Sequence, residues 1–145
     1  MKQRLFHLSN KNLDNQIIEP RIPNNFMVKL GYEDNAIPKI SFAPSVQNCI
    51  LGIGFNKIKE GSKIYYVLEP SDYTKIKIIS NKELVEKSLT PDAKITKEVW
   101  VTNHCLLKCT SKIKITNTTN KYETVYFNGK EITKQYYWNY KILET

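Results

Sequence analysis

The sequence predicts one α+β domain, built mainly from antiparallel strands in two packed or strongly bent sheets, with one or two short helices. Three observations indicate this. The chain has 145 residues, a length that suits one domain. Segments rich in β-branched and aromatic residues outnumber segments with helical spacing. No repeat, low-complexity tract or linker divides the chain, so residues 1–145 are expected to form a single unit.

The first third of the chain contains two predicted strands separated by a long loop. Leu5–Ser9 and Lys39–Ala43 are short apolar segments typical of strands. Residues 10–39 between them are predicted to be irregular, because Pro20, Pro23 and Pro38 exclude a continuous helix. Long irregular segments are uncommon in compact domains and are often functional.

Two helices are predicted next. Apolar residues recur at helical spacing from Val46 to about Phe55, and Ser45 stands where an N-cap is expected. A second short helix is predicted over Asn81–Ser88, capped by Asn81. A turn is expected at residues 90–92.

The remaining predicted elements are strands. Their segments are Lys63–Glu69, Lys75–Ile79, Glu98–Val101, Leu106–Ile115 and Tyr136–Leu143. Between the last two, Lys121–Phe127 and Lys130–Thr133 flank Asn128-Gly129, the strongest short-range signal for a hairpin.

Charge favours an anionic partner. The formal net charge is +8. Residues 1–72 hold nine basic and seven acidic side chains, a balance of +2, and residues 73–145 hold thirteen and seven, a balance of +6. A basic surface attracts nucleic acids, nucleotides or acidic proteins. Only two of the basic residues are arginines, which disfavours sequence-specific recognition of DNA.

The cysteines and the N-terminal segment indicate a cytoplasmic protein. Cys49, Cys105 and Cys109 are odd in number and lack CxxC spacing, so reduced thiols are expected. No apolar run has the length of a signal peptide or of a membrane span. No metal site is expected, since strand alternation would place His104 and Cys105 on opposite faces.

Three short motifs carry the candidate chemistry. They are Phe6-His7-Leu8-Ser9, Ile40-Ser41-Phe42-Ala43-Pro44-Ser45 and Lys97-Glu98-Val99-Trp100-Val101. In this order they resemble the strand motifs of small phage and bacterial ADP-ribosyltransferase-like proteins. The likeness spans most of residues 5–115.

The resemblance implies an ADP-ribosyltransferase-like fold and transfer of ADP-ribose from NAD to a protein or nucleic-acid acceptor, in the setting of phage–host conflict. His7 and Ser9 would hold the ribose, with Ser41 beside them, and Phe42 would lie against the nicotinamide. Glu98 would be the catalytic residue that stabilises an oxocarbenium ion. We add Arg21, in the long loop, as a ligand for the pyrophosphate. Thr96 stands where a second acid would favour arginine as the acceptor.

Two alternatives stay open from the sequence. One is a non-enzymatic inhibitor or interaction protein that occludes a partner through its aromatic C-terminal strand, with contacts from Tyr136, Tyr137, Trp138 and Tyr140. The other is an RNA-binding or RNA-modifying relative of the same fold, which the basic second half favours.

Overall fold

The computed structural model describes residues 3–60 and 63–143. Within these ranges the strands are β1 (His7–Ser9), β2 (Ile17–Ile18), β3 (Ile40–Phe42), β4 (Ile64–Pro70), β5 (Ile78–Ile79), β6 (Val99–Val101), β7 (Cys105–Phe127) and β8 (Lys130–Leu143). The helices are α1 (Phe26–Lys29), α2 (Val46–Leu51), α3 (Phe55–Glu60), α4 (Asn81–Glu86) and α5 (Ala93–Thr96). In the part of the chain that is described, no helix is long and apolar enough to span a bilayer.

All strand pairings among the described residues are antiparallel, and they form two sheets. The larger sheet has the order β1-β4-β7-β2, with β8 also paired to β7. The smaller sheet has the order β3-β6-β5. A bridge between Phe6 and Ala43 brings the start of β1 beside the end of β3. The predicted class, α+β with mostly antiparallel strands in two sheets, is confirmed.

Core side chains from the two sheets pack together. This first cluster consists of Leu5, Ile40, Phe42, Leu68, Val99, Val101, Cys105 and Leu107. A second cluster joins α2 and α3 to the larger sheet and contains Ile50, Ile58, Val67, Ile113, Ile115 and Trp138. The two clusters lie on opposite faces of the β1 segment, because side chains alternate along a strand. Leu5 belongs to the first cluster, whereas Phe6 and Leu8 pack against the second.

The helices differ from the prediction. The expected helix from Val46 to Phe55 is two helices, α2 and α3, separated around Gly52. The predicted Ser45 cap is confirmed, since its side chain accepts from the Asn48 N–H at 3.1 Å. The predicted Asn81 cap is wrong: Ser80 caps α4, and Asn81 is the first helical residue.

Other short elements also differ from the prediction. Residues 10–39 contain β2 and α1, although the expected absence of a continuous helix holds in the described chain. The predicted strand Lys75–Ile79 is reduced to β5, because Tyr73–Lys75 forms a 3₁₀ turn capped by Asp72. Helix α5 directly follows the predicted turn at 90–92 and is absent from the predicted elements.

The predicted hairpin is confirmed and is longer than expected. Asn128 and Gly129 have φ values of 51° and 78°, the positive values that a two-residue hairpin turn requires. The segments predicted as separate strands on each side of the turn are continuous in β7 and β8. Bulges interrupt the register at three places, and Phe127 packs on Tyr32 with ring centroids 5.0 Å apart. The hairpin therefore contacts the loop before β3 as well as its own sheet.

Candidate functional site

His7 and Ser41 meet where β1 and β3 lie side by side. The Phe6–Ala43 bridge aligns the two strands, and His7 Nδ1 lies 2.8 Å from the Ser41 carbonyl oxygen. Because a carbonyl only accepts, Nδ1 carries the proton, and Nε2 of the neutral ring is left as an acceptor. Burial lowers the pKa of His7; the Ser41 carbonyl opposes this and the charge of Arg21 reinforces it. His7 is thus a neutral hydrogen-bond acceptor at neutral pH.

Ser41 also reaches the third predicted motif. It lies opposite Trp100 in the β3–β6 pair, so the two side chains share a face with Glu98. The Ser41 hydroxyl donates to Glu98 Oε2 at 3.4 Å, and Trp100 Nε1 donates to the same oxygen at 2.9 Å. The Thr96 hydroxyl donates to Oε1 at 3.0 Å. These donors fix the orientation of the Glu98 carboxyl group.

Glu98 belongs to a cluster of acids that sequence reasoning missed. Burial raises the pKa of Glu98 well above its ordinary value, and the neighbouring Asp92 raises it further by its charge and a carboxyl–carboxyl hydrogen bond. The Thr90 hydroxyl lies 2.9 Å from Asp92 Oδ1 and 3.1 Å from Glu33 Oε1. Burial and Asp92 therefore both favour the protonated form of Glu98 in the unliganded protein.

One buried cation balances this cluster. The Lys39 ammonium group is completely enclosed and lies 3.2 Å from Glu33 Oε2. It donates to the Asp34 carbonyl at 3.0 Å and lies 3.7 Å from the centre of the Trp100 ring. An enclosed lysine needs such partners, because an unpaired charge away from water is strongly unfavourable. Lys39 consequently holds Trp100, and through it the Glu98 carboxyl, in place.

The hairpin contributes one side chain to the cluster. Gln135 of β8 donates from Nε2 to Asp92 Oδ2 at 2.8 Å. Its Oε1 is buried and has no hydrogen-bond partner among residues 3–60 and 63–143. Gln135 is 43 residues from Asp92 in the chain. No local sequence signal could have placed them together.

Hydrogen bonds join three of the six predicted site residues: His7, Ser41 and Glu98. Arg21 lies near them, because its backbone pairs with that of Lys39 and its charge acts on His7. Ser9 lies two residues further along β1, where its hydroxyl accepts from the Lys11 N–H at 3.1 Å.

The prediction for Phe42 needs correction. Its side chain is 1% exposed and lies in the first core cluster. The alternation that turns Ser41 outward turns Phe42 inward, where its ring packs on His7 with centroids 5.6 Å apart. Phe42 therefore supports the His7 ring and presents no free face for stacking on a ligand.

The thiols are not activated. All three cysteines are free. Cys49 donates from Sγ to the Phe6 carbonyl at 3.2 Å, and burial raises its pKa to about 12. Burial likewise raises the pKa of Cys105 to about 11. A cysteine nucleophile is disfavoured at these positions. Among the described residues, no group of three His, Cys, Asp or Glu side chains has a metal-binding arrangement.

Comparisons of the chain with protein-family models, with curated proteins and with solved structures found no match.

Proposed function

We propose that this chain is an ADP-ribosyltransferase that takes NAD as its substrate, on an ADP-ribosyltransferase-like fold. The observation that carries the proposal is the continuous line from His7 through Ser41 to Glu98. These residues are separated by 34 and 57 positions in the chain, yet each contacts the next. Ser41 is exposed, and His7 and Glu98 are half-buried, so the line reaches the solvent at Ser41.

Each group in the line has a matching role on NAD. His7 Nε2 accepts a hydrogen bond from a ribose hydroxyl, and Ser41 and Ser9 add hydroxyl groups along the same edge. The Arg21 guanidinium binds the pyrophosphate. The nicotinamide leaves with the electron pair of the bond to the ribose carbon, and the positive charge develops on that ribose. Glu98 stabilises this charge until the acceptor forms the new bond and releases its proton.

The raised pKa of Glu98 adds a condition to this mechanism. A protonated Glu98 stabilises a cation poorly, so Glu98 must ionise before or during the reaction. Because burial and Asp92 raise the pKa of Glu98, turnover is expected to increase as the pH rises through the ionisation of Glu98.

A thermal-shift titration with NAD tests the proposal, followed by measurement of nicotinamide release. Saturating NAD should stabilise the wild type, by about 2.7 kcal/mol at a hundredfold excess over Kd. His7→Ala should weaken this effect, and Glu98→Gln should bind NAD without releasing nicotinamide. Glu131→Gln, an exposed acid of β8, is the matched control and should behave as the wild type. No stabilisation of the wild type by millimolar NAD would refute the proposal.

A second candidate function is occlusion of an acidic partner by the outer surface of the β7–β8 hairpin. Tyr122 and Tyr126 are 45% and 57% exposed, and Lys134 lies 5.1 Å from the Tyr122 ring centre. The residues predicted for this role are less available, since Trp138 is 6% exposed and buried in the core. Capture of a protein partner that Tyr122→Ser abolishes would support this function. Salt-dependent binding of RNA would instead favour the RNA-directed alternative.

A further inference from the structure

A cavity of about 530 Å³ lies on the side of β6 away from Glu98. Side chains alternate along β6, so Val99 faces the cavity while Glu98 and Trp100 face the acid cluster. The apolar part of its wall is formed by Leu5, Ile76, Ile78 and Val99. The cavity is therefore separate from the His7–Ser41–Glu98 line.

The shape and wall of the cavity suit a small molecule. Its volume falls within the roughly 300–1,000 Å³ of small-molecule sites. Leu5 and Val99 are buried in its floor, whereas Ile78 at its edge is 53% exposed. An isoleucine so exposed on a two-residue strand has apolar surface available for a ligand.

Lys97 is the one charged residue among those that line the cavity, all of which are described. It ends α5 with φ 59° and ψ 23°, a left-handed conformation that favours glycine or asparagine over lysine. The Ser80 hydroxyl, also in the lining, accepts from the Glu83 N–H and so keeps its own proton to donate. A cation and a hydroxyl donor thus stand beside an apolar wall with no acid in the lining.

We propose that this cavity binds a small organic carboxylate with an apolar body, whose carboxylate is held by Lys97 and Ser80. The charge of Lys97 favours a ligand with a carboxylate group. The wall that contains Ile76 and Ile78 favours a ligand with an apolar body. Asparagine suits the left-handed backbone of Lys97, so the contribution of the lysine charge to binding can be tested by substitution without backbone strain. The site is independent of NAD and of the proposed transferase reaction.

Calorimetric titration with 2-naphthoate tests this proposal, with the uncharged 2-naphthamide as the matched ligand. The wild type should bind one naphthoate per chain, and naphthamide at least tenfold more weakly. Lys97→Asn should weaken naphthoate binding by about tenfold, the effect of losing one charge-assisted hydrogen bond. Its thermal stability should be equal to or above that of the wild type, because asparagine suits the backbone.

Three further variants define the site. Lys94→Asn, an exposed lysine of α5 that does not line the cavity, should bind as the wild type. Ile78→Glu should abolish binding by placing an acid at the edge. His7→Ala should have no effect. The proposal is overturned by equal affinity for both ligands, by unchanged binding in folded Lys97→Asn, by loss of binding in folded His7→Ala, or by no saturable binding at millimolar naphthoate. If Lys97→Asn does not fold, Lys97→Gly replaces it.

Discussion

Gln135 donates a hydrogen bond of 2.8 Å to Asp92, which joins the β7–β8 hairpin to the acid that raises the pKa of Glu98. The hairpin is thereby part of the site's electrostatics as well as part of the sheet. The position of Gln135 at this contact makes the stability of the protein sensitive to charge on the hairpin.

Gln135→Glu is expected to destabilise the protein in a pH-dependent way. An ionised carboxylate at position 135 would face Asp92 without a donor, and a buried charge of this kind costs about 3 kcal/mol. At pH 5 the new carboxyl can hold a proton and donate as the amide does, so the loss should shrink. Urea unfolding at pH 5 and pH 8 measures the difference. Gln16→Glu, an exposed control, should change stability little at either pH.

Glu98→Gln should stabilise the protein at pH 8 and not at pH 4. The amide imitates the protonated carboxyl that the fold favours. In the wild type, the unfolded Glu98 ionises near its ordinary pKa of 4.5 while the folded group keeps its proton. The free energy of unfolding therefore falls as the pH rises from the ordinary pKa of Glu98 towards its pKa in the folded protein. The decrease is about 1.4 kcal/mol for each pH unit in this range. Unfolding curves for both proteins across pH 4–9 measure it, and parallel profiles would contradict the raised pKa of Glu98.

Lys39→Met should cost about 3–5 kcal/mol, because it leaves Glu33 buried without its cation. Burial already raises the pKa of Glu33, and the charge of Lys39 opposes that rise. Adding Glu33→Gln should recover part of the loss, so the two changes together should cost less than their sum. A double-mutant cycle from denaturant unfolding measures the coupling. Additive losses would show that the pair is not coupled, and Lys29→Met is the exposed control.

Iodoacetamide should discriminate among the three thiols. Burial raises the pKa of Cys49 to about 12 and that of Cys105 to about 11, so neither supplies thiolate at pH 7.5. Cys49 and Cys109 are both half-buried, but burial raises the pKa of Cys49 to about 12, so Cys109 should react first. Peptide mapping by mass spectrometry, with urea-denatured protein as the reference, measures the order. Labelling of Cys49 at the denatured rate would contradict its burial.

The parts of the fold that could be predicted are those that short local sequence patterns specify. Two residues, Asn128 and Gly129, are enough to specify the turn between β7 and β8. Ser45 likewise specifies the start of α2 by capping it. The strand around Glu98–Val101 followed from its β-branched and aromatic composition, although β6 begins at Val99. Local composition was misleading at residues 75–77, where alternating lysine and isoleucine suggested a strand, because the Asp72-capped turn occupies Tyr73–Lys75 and β5 begins only at Ile78.

The parts that sequence could not predict depend on long-range contacts. His7, Ser41 and Glu98 were found because each lies in a short motif, but their partners Lys39, Asp92 and Gln135 do not. The sequence does not distinguish a buried lysine from an exposed one. Lys39 is enclosed only by contacts that form in the folded protein. The four-residue helix α5, which positions Asp92 and Lys97 at its two ends, is too short to produce a periodic signal.

The central position of β7 has a consequence for synthesis on the ribosome. β4, β2 and β8 all pair with β7, which begins at Cys105. Residues before Cys105 are therefore synthesised while β2 and the second edge of β4 have no partner strand. The larger sheet cannot form completely until β7 has been synthesised. Nascent chains should expose these strand edges until β7 has emerged, so the larger sheet forms only after β7 is synthesised and its free edges need protection from aggregation until then.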